Sequence, residues 1–356
     1  MKIKECLKIM VEKNASDLFF RAGGPLRLRI DGKIVVASDT LLSVEDVTCA
    51  VEDLLPQREK ELLRQQKDVY LGAYKQEFNR RFRVSVFMQR STPSIVVRQI
   101  PQVMRTFEEL GLPRDILENL CKENRGLVLL TGATGSGKST TIASMIEYIN
   151  ANSKKHILAV EEPIEFTYTD KMSVINQREV GSDVPNYAAA LKAFTLQSPD
   201  VIFIGNICDY ETMSTALVAA ETGVLVLSTL HTINAAQTVE RIINFFPPYQ
   251  HEQIALLLSS LLKGVISLRL VPLKDSPGRA PAYESMILTP TISRLIRERK
   301  IWEIPRYLED GGIFGMQTFN QSLVNLVKKG LISVEEAIGF SDSKDEFQLA
   351  MKGFRK

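Results

Sequence analysis

The run GATGSGKS, residues 132–139, constrains the fold of this chain more than any other stretch. It matches G-x-x-x-x-G-K-[ST] in full. Directly before it lies the apolar run GLVLL, and directly after it Ile142, Met145, Ile146 and Ile149 recur at helical spacing. A buried strand, a glycine loop and a helix in that order belong to an α/β sheet. Gly132, Gly135 and Gly137 let backbone N–H groups turn inward around phosphate oxygens, and the helix N-terminus adds positive potential there. Lys138 supplies a point charge to β- and γ-phosphates, and the Ser139 hydroxyl suits magnesium. A functionless glycine turn is the competing reading, disfavoured because strand, loop and helix are all in register.

Further apolar runs, HILAV, VIFIG and VLVLS, alternate with helical segments after residue 113, as a parallel sheet requires. Each ends in residues with chemistry. HILAV leads into EEPIEF, so Glu161, Glu162 and Glu165 fall beyond a carboxyl strand end, where ligands of open parallel sheets sit. A glutamate there suits proton abstraction from water or ordering of a magnesium shell. For Glu162, a solvated turn closed by Pro163 competes. VLVLSTL delivers His231 to the same edge, either to read the γ-phosphate region or as an ordinary polar strand end. VIFIG is followed by Asn206, where a phosphate-loop enzyme normally carries a carboxylate.

The first hundred residues have another texture. PLRLRIDGKIVVA alternates and turns at Asp31-Gly32, a hairpin signal. RRFRVSVF places Phe82, Val84 and Val86 on one face and Arg81, Arg83 and Ser85 on the other. SVEDVTCAVEDLL and QREKELLRQQ read as helices between them. This predicts a small α+β domain over 1–100, a linker over 101–113, and an α/β domain over 114–356 that turns helical from about Ala282. Gly330 reads as a helix C-cap and Ser333 to Glu336 as a capping box. Arg83 and Arg98 lie on strands of the first domain. In a ring they can reach a neighbour's γ-phosphate, an effect worth roughly 10³ to 10⁵ in rate, whereas a half-exposed sheet face is the plainer account.

Composition excludes other classes. Lys plus Arg is 44 against 42 Asp plus Glu, a net charge of +2, which gives no case for nucleic acid or an anionic membrane. Cys6, Cys49, Cys121 and Cys208 are scattered, against both a zinc module and a disulfide framework, so a reducing cytoplasm is expected. The start lacks the pattern of a signal peptide. IALLLSSLLKGVISLRLV is interrupted by Lys263 and Arg269 and reads as helix plus strand rather than a span; membrane association is expected only through partners.

Taken together, GATGSGKSTT, VEEPIEF, INQREVG, AAETGVLVLSTLHTINAAQTVERIINFFP and GMQTF resemble the secretion-ATPase superfamily, and within it the type IV pilus retraction ATPases of the PilT/PilU family. The opening NASDLFFRAGGPLRLRIDGKI resembles that family too. The resemblance implies a PAS-like N-terminal domain, a RecA-like P-loop ATPase domain, ATP and magnesium, and a homohexamer at the cytoplasmic, inner-membrane base of the pilus machine. There it acts on a platform protein. It assigns Gly132, Thr134, Gly135, Ser136, Gly137, Lys138, Ser139 and Thr140 to nucleotide, Glu161 to Glu165 to the aspartate box, His231 to the histidine box, and Arg83 with Arg98 to the region offering arginine fingers.

The departures gather near Asn206. The family's G-E-x-R-D is here Gly205-Asn206-Ile207-Cys208-Asp209, and L-R-x-x-L-R-x-D-P-D is LKAFTLQSPD, with Lys192, Leu196 and Ser198 at the polar positions. Val224 replaces a histidine in AETGV, and TISRLI replaces A-I-R-N-L-I. Such changes around one site imply relaxed demand for hydrolysis, or a specialised paralogue. INFFPPYQ and GMQTF lean toward the accessory, PilU-like kind, alone or stacked with a second retraction ATPase. The alternatives are a nucleotide-binding structural subunit of a mixed ring and an extension or secretion ATPase. The last generally carries a further domain and a four-cysteine insertion not matched here.

Overall fold

The computed structural model of the chain describes residues 2–30, 32–75, 80–100 and 104–352. Two compact units divide it, residues 1–103 with 163–167, and residues 104–162 with 168–356.

The first unit opens with α1 (Ile3–Glu12) and builds a six-stranded sheet from β1 (Asp17–Arg21), β2 (Pro25–Ile30), β3 (Lys33–Leu41), β4 (Asp68–Lys75), β5 (Arg80–Gln89) and β6 (Thr92–Ile100). Its order is β3-β2-β1-β6-β5-β4, with every described pairing antiparallel. Alternation sets its faces. Phe82, Val84 and Val86 are buried while Arg81, Arg83 and Ser85 are half-buried. The helices α2 (Val44–Leu54) and α3 (Gln57–Gln66) form where expected, α2 behind a complete capping box of Ser43 and Asp46. Gly32 takes φ 81° between β2 and β3; its turn partner Asp31 lies outside the described residues, as do the linker residues Pro101, Gln102 and Val103.

In the second unit, α4 (Arg114–Lys122) precedes β7 (Gly126–Thr131), α5 (Lys138–Asn152), β8 (His156–Glu161), β9 (Val174–Glu179), α6 (Tyr187–Phe194), β10 (Val201–Ile204), α7 (Tyr210–Glu221), β11 (Leu225–Leu230), α8 (Ala235–Asn244) and α9 (His251–Leu261). Then come β12 (Leu262–Pro272), β13 (Arg279–Ile287), α10 (Pro290–Arg297), α11 (Ile304–Asp310), α12 (Phe319–Lys328), α13 (Val334–Phe340) and α14 (Lys344–Met351). The sheet order is β13-β12-β7-β11-β10-β8-β9, parallel except for β13.

The continuous apolar runs reflect burial on both faces. Leu127, Leu129, Leu158, Val160, Ile202, Ile204 and Val226 share one core with residues of α6 to α11. Their neighbours Val128, Leu130, Ile157, Ala159, Phe203, Leu225 and Leu227 share the other with α4 and α5. Phe107 and Leu112, from the expected linker, belong to that second core. A third cluster packs α12 to α14 against Val271, Ala280 and Ala282.

The C-terminal expectations need two corrections. Helices begin at Pro290 rather than near Ala282, because Ala282, Glu284 and Met286 alternate inward and extend β13 to Ile287. At Ser333, the hydroxyl accepts from Glu336 N, but only this half of the expected box is made. Gly330 has φ 69° after α12, as a C-cap requires. IALLLSSLLKGVISLRLV is α9 plus β12, and no helix among the described residues is long and apolar enough to cross a membrane.

Candidate nucleotide site

The phosphate loop leaves β7 at Gly132 and enters α5 at Lys138. Gly132 has φ 138°, and a Cβ there would fall 2.5 Å from Leu268 O and 2.6 Å from Ser136 Oγ. The position therefore admits no side chain without moving β12 or the loop. Gly135 and Gly137 also lie at positive φ, 79° and 99°, which turns the loop back on itself. Lys138 is buried, and its Nζ donates to Gly132 O at 2.7 Å and Ala133 O at 2.9 Å, which seats the ammonium under the loop. Ser139 and Thr140 are half-buried in the first turn of α5, Thr134 is exposed, and Ser136 Oγ is buried without a hydrogen-bond partner.

Three parallel strands beside β7 end at the same edge. Leu230 of β11 pairs with Thr131, Ile204 of β10 with Ser228 of β11, and Val160 of β8 with Ile204. His231, Asn206 and Glu161 thus leave the sheet along one line with the phosphate loop.

Glu161 is buried, and Gln177 Nε2 donates to its Oε1 at 3.3 Å. Burial first, then the Glu161 charge, pushes the Tyr168 phenol well up. Glu162 is exposed, and Glu165 lies in 163–167, which group with the first unit. His231 is exposed at its rim; partial burial, then the Lys138 charge, holds its imidazole below the ordinary 6.5.

Gly205 needs to be small, since a Cβ would come 3.2 Å from Glu161 Cα. Thr229 Oγ1 donates to Gly205 O at 2.7 Å and Ile207 N to Thr229 O at 3.1 Å, which fixes the backbone on both sides of Asn206. The Asn206 Oδ1 atom is buried with no hydrogen-bond partner, a costly arrangement for an acceptor unless a ligand or water donates to it. Asp209 is already engaged, its Oδ1 accepting from Thr212 N at 2.8 Å as the N-cap of α7.

Most of the altered motif positions do not surround this edge, although their closeness in sequence implied that they would. Leu196 and Ser198 directly precede β10 and Val224 directly precedes β11, so these three lie at the amino ends of the strands, whereas Lys192 sits within α6 and reaches the first turn of α7. Lys192 pairs with Glu211 at 3.7 Å and Leu196 is 87% exposed. TISRLI starts α10. Only Asn206 stands at the carboxyl edge itself, with Cys208 two residues on.

Arg83 and Arg98 face each other across β5 and β6. Arg98 Nε donates to the buried Asp17 at 2.7 Å, and Arg29 contacts the same carboxylate at 3.1 Å. This ion pair offsets the repulsion expected of like charges directly opposite.

Sequence reasoning missed one wall of the site. A cleft of about 340 Å³ beside residues 132–136 is bounded by Ile233, Leu270, Arg279 and Phe340. Arg269 holds Phe340 there, with Nη1 donating to Phe340 O at 2.6 Å, Nη2 to Asp342 at 2.5 Å, and the guanidinium 3.7 Å over the Phe319 ring. No local pattern announces these residues; only the packing of α12 to α14 on β12 and β13 brings them to the loop.

Similarity to known proteins agrees with this geometry. The family described as Type II/IV secretion system protein matches residues 1–303. The type IV pilus ATPase PilU of Pseudomonas aeruginosa is 39% identical over 352 residues, covering 99% of this chain and 92% of that protein. The type IV pilus retraction ATPase PilT of the same organism is 39% identical over 337 residues, covering 95% and 97%. The crystal structure of the pilus retraction motor PilT with bound ADP superposes with a TM-score of 0.91 at 42% identity, covering 97% of this chain and 98% of that one.

Proposed function

The chain belongs to the type II/IV secretion protein family, in its branch of PilT and PilU pilus retraction ATPases, and we propose that it is an ATP-binding, homohexameric motor subunit of the accessory, PilU-like kind. It works in the cytoplasm at the inner-membrane base of the pilus, on the platform protein, alone or stacked with a second retraction ATPase. The observation that carries this reading is the complete phosphate loop on β7 and α5, with Glu161, Asn206 and His231 leaving neighbouring strands along the same edge.

The donor atoms suit a hard cation: the Ser139 hydroxyl, with Ser136 Oγ and Asn206 Oδ1 as buried oxygens lacking partners. Magnesium, when bound, supplies charge that neutralises phosphate oxygens. Ser139 would hold it. Lys138 and the loop N–H groups bind the phosphates, and His231, neutral near pH 7, reads the γ-phosphate region. Glu161, oriented by Gln177, is the candidate base, with Glu165 as the second. Asn206 cannot accept a proton; its carbonyl can anchor water and no more. Because Arg98 is tied to Asp17, Arg83 is the better candidate for a neighbour's site.

Asn206 also favours a second reading, a nucleotide-binding structural subunit that transmits another ATPase's work. Steady-state ATP turnover separates the two, with Lys138→Ala as the blank. In the motor, the natural protein exceeds the blank and Glu161→Gln lowers it by about 10² to 10⁴. In the structural subunit, the natural protein equals the blank and Asn206→Glu gains activity. Light scattering with ATP and magnesium tests the ring; monomers alone would remove the hexamer.

A further inference from the structure

A buried polar row crosses three strands behind the phosphate loop. Thr131, the last residue of β7 and the one before Gly132, donates from Oγ1 to Ser267 Oγ at 2.8 Å, and both residues are fully buried. Ser267 of β12 stands directly opposite Glu284 of β13. Glu284 is 5% exposed, and its Oε1 accepts from Ala235 N, the first residue of α8, at 2.7 Å. The nucleotide site proposed above does not use this carboxylate.

Its place gives it a task. Leu230, which ends β11, is fixed to Thr131 by sheet register, and only residues 231–234 separate it from Ala235. The loop carrying His231 is therefore held at its entry by β7 and at its exit by Glu284. Inside the loop, the hydroxyls of Thr232 and Thr238 bond at 2.7 Å and Asn234 Oδ1 accepts from Gln237 N at 2.9 Å. These bonds tie the loop to α8, but not α8 to the sheet. Among the described side-chain hydrogen bonds of the loop and the first turn of α8, the one to Glu284 alone reaches another strand.

We propose that Glu284 is a positioning residue that fixes the start of α8, and with it the His231 loop, in register with the strand that carries the phosphate loop. The proposal rests on the reading of His231 as a γ-phosphate contact. It also predicts pH sensitivity. Burial raises the Glu284 carboxyl to about 7, while the Ala235 N–H and Arg269 favour its charged form and Asp342 disfavours it. These are the charged groups that face it; Thr131 and Ser267 are neutral. Opening the start of α8 would hydrate the carboxylate and relieve the burial that raises its pKa, so as pH rises through neutrality ionisation favours opening and the start of the helix loosens.

The test is hydrogen exchange of the full chain over residues 232–240, corrected for intrinsic rates, together with release of a fluorescent ATP analogue. Glu284→Ala should speed exchange at the start of α8 about tenfold or more and hasten nucleotide release. Glu284→Gln keeps an oxygen acceptor, so near neutral pH it should stay close to the natural protein. It should also lack the natural protein's faster exchange at about pH 8 than at about pH 6. Unchanged exchange in Glu284→Ala, or the same pH dependence in Glu284→Gln, overturns the proposal. His231→Ala isolates the underlying reading: if nucleotide release ignores His231, that reading fails, while exchange at Ala235 still decides whether Glu284 holds the helix.

Discussion

Removing the charge of Glu284 should change how stability depends on pH, and by an amount the structure sets. Its carboxyl rises from an ordinary 4.5 to about 7, with burial as the largest cause. In the unfolded chain the proton leaves near 4.5; in the folded chain it stays on until about 7. Between those values the native state binds more protons than the unfolded state, so stability falls as pH rises through the window and levels off above it. The full effect is on the order of 3 kcal/mol. In a domain of this size that is roughly 6 to 12 °C of melting temperature.

Glu284→Gln keeps the shape and the acceptor but cannot ionise. Unfolding of the natural protein and the variant, followed from about pH 5 to about pH 8, should show the variant gaining steadily on the natural protein up to about pH 7 and holding a constant lead beyond. Differences between the curves cancel every other titrating group. Parallel curves across the window would mean that Glu284 is solvated or differently paired, and the buried row behind the phosphate loop would have to be abandoned.

Three other outcomes follow from the same geometry. Gly132→Ala forces a Cβ to 2.5 Å from Leu268 O at φ 138°, which should cost about 1 to 3 kcal/mol of strain and weaken ATP binding measured by calorimetry. His231 should titrate below 6.5 by NMR, and Lys138→Met should move its midpoint up, since the Lys138 charge contributes to the depression. Asp209→Ala should lower stability by about 1 kcal/mol through the lost cap of α7, while leaving turnover per folded molecule unchanged.

What the sequence made legible was whatever depends on local order. The phosphate loop could be read because strand, glycines and helix are contiguous, and the parallel sheet because its strands are apolar on both faces. The edge that unites Glu161, Asn206 and His231 could be inferred from strand ends alone. Glu284, Arg269 and Phe340 could not. Ser267 meets Glu284 only through an antiparallel register, and Phe340 reaches the loop through the packing of α13 on β12, with the bond from Arg269 to its carbonyl. The late start of the C-terminal helices has the same cause. Residues 282–287 contain a period-two alternation, but its meaning depends on β12 lying beside it.

Long-range geometry also changes the weight of the substitutions around Asn206. Read along the chain, Leu196, Ser198, Asn206 and Val224 cluster; read on the sheet, β10 separates them. Its four residues, Val201–Ile204, put roughly 16 Å between Asp200 and Gly205, beyond the reach of a side chain from Leu196 or Ser198 to the phosphate edge of the same subunit. Val224 stands at the foot of β11, six strand residues from His231. These positions therefore lie at the amino ends of the strands, and Asn206 lies at the carboxyl edge proposed to hold nucleotide. Val224→His should leave steady-state turnover of the isolated protein within about twofold of the natural chain, whereas Asn206→Glu should change it, since only the latter alters a group at the reacting edge. If Val224→His restored turnover and Asn206→Glu did not, the amino ends of these strands would have to enter a site completed by another subunit, and the single-edge account of catalysis would give way to a shared one.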